Sequence, residues 1–197
     1  YNVANKSIAY MRGMQDNNVL ACAKHFPGHG DTDKDSHKTL PSVSQPKARI
    51  DSLELYPFRQ LIKNGVGSIM SAHLYVPALD SLEKRASSLS KKIITELLRN
   101  EMDFNGLVFT DALNMKGVSQ YFKPGELEVK ALVAGNDILL YSQDVPRAIR
   151  HIEKAISRRE ISIKDINEKV KRILKLKVWS GLSRFKPIKE KGINEDL

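Results

Sequence analysis

Residues 106–111 read Gly-Leu-Val-Phe-Thr-Asp: a glycine, an apolar and β-branched run, and then an acid. A run this short, bounded this way, reads as a strand buried on both faces. Three more stretches share the pattern: 19–23 (Val-Leu-Ala-Cys-Ala), 67–71 (Gly-Ser-Ile-Met-Ser) and 137–141 (Asp-Ile-Leu-Leu-Tyr). Between them the apolar period lengthens to that of helices. Residues 3–15 place Ala4, Ile8, Met11 and Met14 near one face. Further helices are expected from Asp51-Ser52-Leu53-Glu54 to Lys63, over 91–101 behind Ser90, and over 125–134, 145–158 and 162–179, the last opening with Ser162-Ile163-Lys164-Asp165. Strands alternating with helices imply an α/β fold, a parallel sheet with helical crossovers.

Parallel sheets collect functional groups at the C-terminal ends of their strands. Here those ends offer Lys24 and His25, then His73, then Asp111, then Tyr141-Ser142. The first end opens into residues 25–46, with two Gly and three Pro among many polar residues. A loop of that length in a compact domain points to function. Four strands are too few to close an eight-stranded barrel, so the sheet is either open or part of something larger.

The 197 residues are 41% hydrophobic and 28% charged, an ordinary globular composition. No stretch approaches the roughly 20 apolar residues that span a bilayer. The start, Tyr1-Asn2-Val3-Ala4, lacks both a secretory leader pattern and an initiator Met, so the native chain is expected to continue upstream. The lone Cys22 cannot form an internal disulfide and is expected to be a small buried residue. Much of the net charge of +9 falls late, at Arg147, Arg150, Arg158, Arg159, Lys169, Lys171, Arg172, Lys175 and Lys177. Interspersed acids mark this as a solvated helix face, and no zinc-finger or RNP-like pattern argues for nucleic acid.

Three groupings could carry chemistry. Asp111, directly after a buried strand, is either a helix N-cap or a nucleophile or general base. In Asp35-Ser36-His37 a carboxylate could orient an imidazole for proton transfer, although an isolated D-x-H is usually a polar surface loop. Lys24, His25 and His73 could hold hydroxyls, or snorkel and pair structurally. His25, His29, Asp31, Asp33, Asp35 and His37 crowd one loop, yet their spacing fits no compact zinc motif. No metal or other cofactor is expected.

Taken together, Lys24-His25-Phe26-Pro27-Gly28-His29-Gly30 followed by Asp35-Ser36-His37 resembles the signature of glycoside hydrolase family 3, in its β-N-acetylglucosaminidase branch. Leu55-Tyr56-Pro57-Phe58-Arg59, Ser68-Ile69-Met70-Ser71-Ala72-His73, Ala86-Ser87-Ser88-Leu89-Ser90, Phe109-Thr110-Asp111-Ala112-Leu113-Asn114-Met115 and Ala134-Gly135-Asn136-Asp137-Ile138-Leu139-Leu140 agree in order. The resemblance implies a (β/α)8 barrel, of which residues 1–182 would be the C-terminal part, about the last four βα units. Residues 183–197 would be a polar tail or a linker to a further domain.

The same resemblance implies the roles. Asp111 would be the nucleophile, and His37 paired with Asp35 the acid/base. Lys24 and His25 would hold sugar hydroxyls, with His73 in the pocket wall. The implied activity is retaining release of terminal N-acetylglucosamine, from peptidoglycan fragments, with carbohydrate as the partner and neither nucleic acid nor a membrane span. The alternatives are another family 3 β-glycosidase, against which the Asp35-Ser36-His37 loop argues, a β-glycoside phosphorylase, and a non-catalytic sugar-binding module. Half a barrel would leave an unpaired sheet edge, so residues 1–197 alone are expected to be inactive or poorly folded.

Overall fold

The computed structural model describes residues 1–30, 32, 40–82 and 85–185. Asp35, Ser36 and His37 lie outside the described residues, as does most of the expected tail. Helix α1 (Asn2–Gln15) leads to strand β1 (Cys22–Phe26). Helix α2 (Lys47–Arg49), a π-helical stretch (Ile50–Glu54) and α3 (Leu55–Lys63) form one continuous helical run before β2 (Ser68–Ser71). A 3-10 turn (Ser87–Leu89) and a π-helix (Lys92–Glu101) precede β3 (Leu107–Thr110). Helices α4 (Lys116–Ser119), α5 (Glu126–Ala134), α6 (Val145–Ser157) and α7 (Ile163–Trp179) complete the chain.

The sheet is parallel, in the order β1-β2-β3, as the alternation of strand and helix predicts. Ser68 stands opposite Cys22 and Leu107, and Ser71 opposite Phe26 and Thr110. That register brings the strand ends level, so the groups that follow them share one edge. The approach to β3 needs a glycine: a side chain on Gly106 would overlap the carbonyl of Gly67. Phe26, Ile69 and Val108 form the centre of the core, with Leu55, Phe58, Ile93, Ile94 and Leu98 packed on them from the helices. Each such side chain contributes roughly 1.5–3 kcal/mol by leaving water, and the ring edge of Phe58 meets the Phe26 ring at 5.2 Å between centroids.

Several expectations need correction. The first strand is Cys22–Phe26, displaced from 19–23, because the chain leaves α1 through a turn with Asn18 at φ 60°. The helix before β2 starts behind Pro46, not at Asp51, which lies inside the π-helical stretch. Residues 137–141 make a single parallel bridge, Phe109 to Ile138, in place of a fourth strand. The reason is local: Leu140 N–H donates to the Thr110 hydroxyl rather than to a backbone carbonyl, and Tyr141 turns away at φ 57°. Cys22 is exposed, not buried, because β1 is the outer strand of the described sheet.

The late basic run is not wholly a solvated face. Lys169 is 7% exposed and donates to the Asn136 carbonyl at 2.7 Å. Arg172 reaches the buried Asp137 through Nε and Nη2 at 3.0 and 2.8 Å, and Arg99 reaches its other oxygen at 2.5 Å. Val108 N–H also donates to Asp137. This cluster fastens α7 to the N-terminal end of β3, opposite the functional edge.

Candidate active site

β1 carries Lys24 and His25 to the C-terminal edge of the sheet. The Lys24–His25 and Phe26–Pro27 peptide bonds are cis, and the chain reverses through Gly28, whose N–H donates to the His25 carbonyl at 2.9 Å. Gly28 sits at φ 137°, and a Cβ there would lie 2.7 Å from the Glu54 Cβ. Both facts restrict the position to glycine. The His29 carbonyl accepts from the Thr32 hydroxyl, whose oxygen also lies 2.8 Å from His29 Nδ1. Lys24, His25, Gly28, His29 and Gly30 line an open depression of about 390 Å³, walled by Phe58.

β3 delivers Asp111 to the same edge. Its Oδ1 accepts from Ala112 N–H at 2.8 Å, and its Oδ2 faces His25 Nε2 at 3.8 Å. The helix that follows begins only at Lys116, with Met115 as its cap, so Asp111 is no N-cap. Its side chain is 17% exposed. Burial holds the His25 imidazole below its ordinary range, against the opposing pull of Asp111. In either protonation state His25 keeps at least one N–H for a hydroxyl or for Asp111.

β2 delivers His73, which is 1% exposed. Its Nε2 donates to the Ala112 carbonyl at 3.1 Å, and its Nδ1 lies 2.7 Å from the Ser88 hydroxyl. Both ring nitrogens are thus engaged by the protein. The structure brings Lys24, His25, His73 and Asp111 to one edge. Asp35 and His37, the expected proton-transfer pair, fall outside the described residues.

A family model described as the Glycosyl hydrolase family 3 N terminal domain matches residues 1–176. The chain belongs to glycosyl hydrolase family 3. Beta-hexosaminidase A of Pseudoalteromonas piscicida is 38% identical over 159 residues, which is 76% of this family 3 chain and 26% of that protein. A solved family 3 β-N-acetylglucosaminidase from Paenibacillus sp. str. FPU-7 is 38% identical with a TM-score of 0.90, covering 96% of this chain and 36% of that one. A solved β-glucoside phosphorylase, BglX, is 27% identical with a TM-score of 0.84, covering 91% of this chain and 34% of that one. The chain therefore spans 26% to 36% of the length of these family 3 relatives.

Reading strand ends finds only groups that the strands carry. It misses Ser88, which lies in the 3-10 turn after β2 and holds His73. It also misses Asn136, whose Nδ2 donates to the Ser88 carbonyl at 2.8 Å and whose Oδ1 accepts from the Ser71 hydroxyl at 2.8 Å. Asn136 is fully buried, and in the sequence it is marked only as part of the run 134–140 that resembles the family.

Proposed function

We propose that the protein to which this chain belongs is a retaining exo-β-N-acetylglucosaminidase that releases terminal N-acetylglucosamine, with cell-wall peptidoglycan fragments as its source. The observation that carries this reading is the part-exposed Asp111 carboxylate at the strand end, accepting from Ala112 N–H through Oδ1 and facing His25 Nε2 at 3.8 Å through Oδ2. Relatives named as β-hexosaminidase and β-N-acetylglucosaminidase support the choice of sugar.

In this reading Asp111 Oδ2 attacks the anomeric carbon and the bond to the leaving oxygen breaks, giving a covalent glycosyl-enzyme. His37, oriented by Asp35, protonates the leaving oxygen and then takes a proton from the incoming water. Water adds to the anomeric carbon and Asp111 is released. Lys24 and His25 hold sugar hydroxyls so that attack becomes effectively unimolecular. We further read β1, β2, β3 and the Ile138 bridge as successive strands of a (β/α)8 barrel completed within a longer chain. Residues 1–182 would be its C-terminal part, with residues 183–197 a tail. Turnover then belongs to the longer chain.

A second reading is phosphorolysis, favoured by the likeness to a β-glucoside phosphorylase. A neutral imidazole acid/base admits phosphate more readily than a carboxylate would. Kinetics on the full-length protein with an aryl N-acetyl-β-glucosaminide test both readings. D111N should lower kcat by roughly 10⁴-fold or more, and near-normal turnover would remove Asp111 from this role. Free sugar as the product in saturating phosphate supports hydrolysis, whereas a sugar 1-phosphate identifies the phosphorylase.

A further inference from the structure

We propose that His73 and Ser88 are a positioning pair for the Asp111 carboxylate, acting through the peptide plane that follows it. The inference rests on the reading above that Asp111 is the nucleophile, and it gives His73 a task other than binding sugar.

Three consecutive residues after β3 are each tied to a neighbouring segment. Asp111 N–H donates to the Ser71 carbonyl at 2.9 Å, the Ala112 carbonyl accepts from His73 Nε2 at 3.1 Å, and Leu113 N–H donates to the Leu140 carbonyl at 2.8 Å. The peptide plane between Ala112 and Leu113 is thus held at both ends, and Asp111 is held just before it. Ala112 N–H, which holds Asp111 Oδ1, lies between these fixed points.

The roles of the His73 nitrogens follow from their partners. A carbonyl can only accept, so Nε2 carries the proton. Burial disfavours a second ring proton, so Nδ1 accepts and the Ser88 hydroxyl donates to it. Ser88 cannot drift, because its N–H donates to the Ala72 carbonyl at 3.0 Å and its carbonyl accepts from Asn136 at 2.8 Å. His73 and Ser88 are 1% and 0% exposed, so water does not compete for these bonds. The chain Asn136–Ser88–His73–Ala112 links the fourth strand position to the residue beside the carboxylate.

The test uses the full-length protein and p-nitrophenyl N-acetyl-β-D-glucosaminide. H73F keeps the ring volume but removes both bonds. Its kcat should fall roughly 10- to 100-fold, the scale of a carboxylate misplaced by about an ångström, while KM stays within about threefold. H73Q, whose amide N–H can reach the Ala112 carbonyl, should recover most of kcat. Equal losses in H73F and H73Q would overturn the donor role, as would a loss confined to KM. If H73F does not fold, S88A decides: a several-fold drop in kcat at unchanged KM supports the pair, and wild-type kcat overturns it. Failure of the underlying reading looks different. An active wild type with an inactive D111N and an unimpaired H73F removes the pair alone, whereas an active D111N removes the nucleophile.

Discussion

Gly28 shows how tightly single residues are constrained at this edge. A methyl group there meets Glu54 at 2.7 Å on a backbone at φ 137°. G28A should cost about 1–3 kcal/mol and displace the turn that carries His25. Thermal unfolding of the full-length protein should show a lowered Tm with kcat/KM reduced; an unchanged Tm would contradict the close packing. Asp111 was legible in the sequence because a buried strand ending in an acid is a local pattern. The place of His73 was not: its partners are Ser88, fifteen positions away, and Ala112, thirty-nine away. No local spacing encodes such bonds.

At the scale of elements, helices were readable where caps and periodicity agree. Ser162 and Asp165 cap α7 reciprocally, as their spacing predicts. What periodicity hid is that α7 turns Lys169 and Arg172 inward, onto Asn136 and Asp137. Burial lowers the Lys169 amine from 10.5 to about 8. Between those values the unfolded chain holds a proton that the folded one has lost, so this group adds stability as pH rises from about 8 toward 10.5. Below about 8 both states are protonated, and the cost of burying the charge is constant. Urea unfolding of full-length wild type and K169M at about pH 7 and pH 9.5 should show wild type gaining on the variant with pH, by a few kcal/mol at most. Parallel pH dependences would show that Lys169 is not desolvated.

At the scale of the molecule, alternation of strand and helix foretold a parallel α/β sheet, and the described strands have that topology. What alternation could not foretell is how each strand ends: the 137–141 run meets its neighbour at one residue because Thr110 substitutes a hydroxyl for a backbone acceptor. Among the described residues apolar side chains are exposed at many points, and two of these form continuous features. One is a groove of about 810 Å³ along α1 and β1, lined by Met11, Met14, Cys22 and Phe58 among others. The other is the stripe Val170, Leu174 and Val178 on α7. If Asp111 is the nucleophile, it bonds covalently to the sugar during turnover. The direct measurement is to incubate the full-length protein with a fluorinated N-acetylglucosaminide that forms the glycosyl-enzyme faster than it releases it, and then to locate the label by peptide mass spectrometry. One sugar on Asp111 and none in D111N is the expected result. A label on another residue, or turnover of a normal substrate with no trapped intermediate at Asp111, would contradict it.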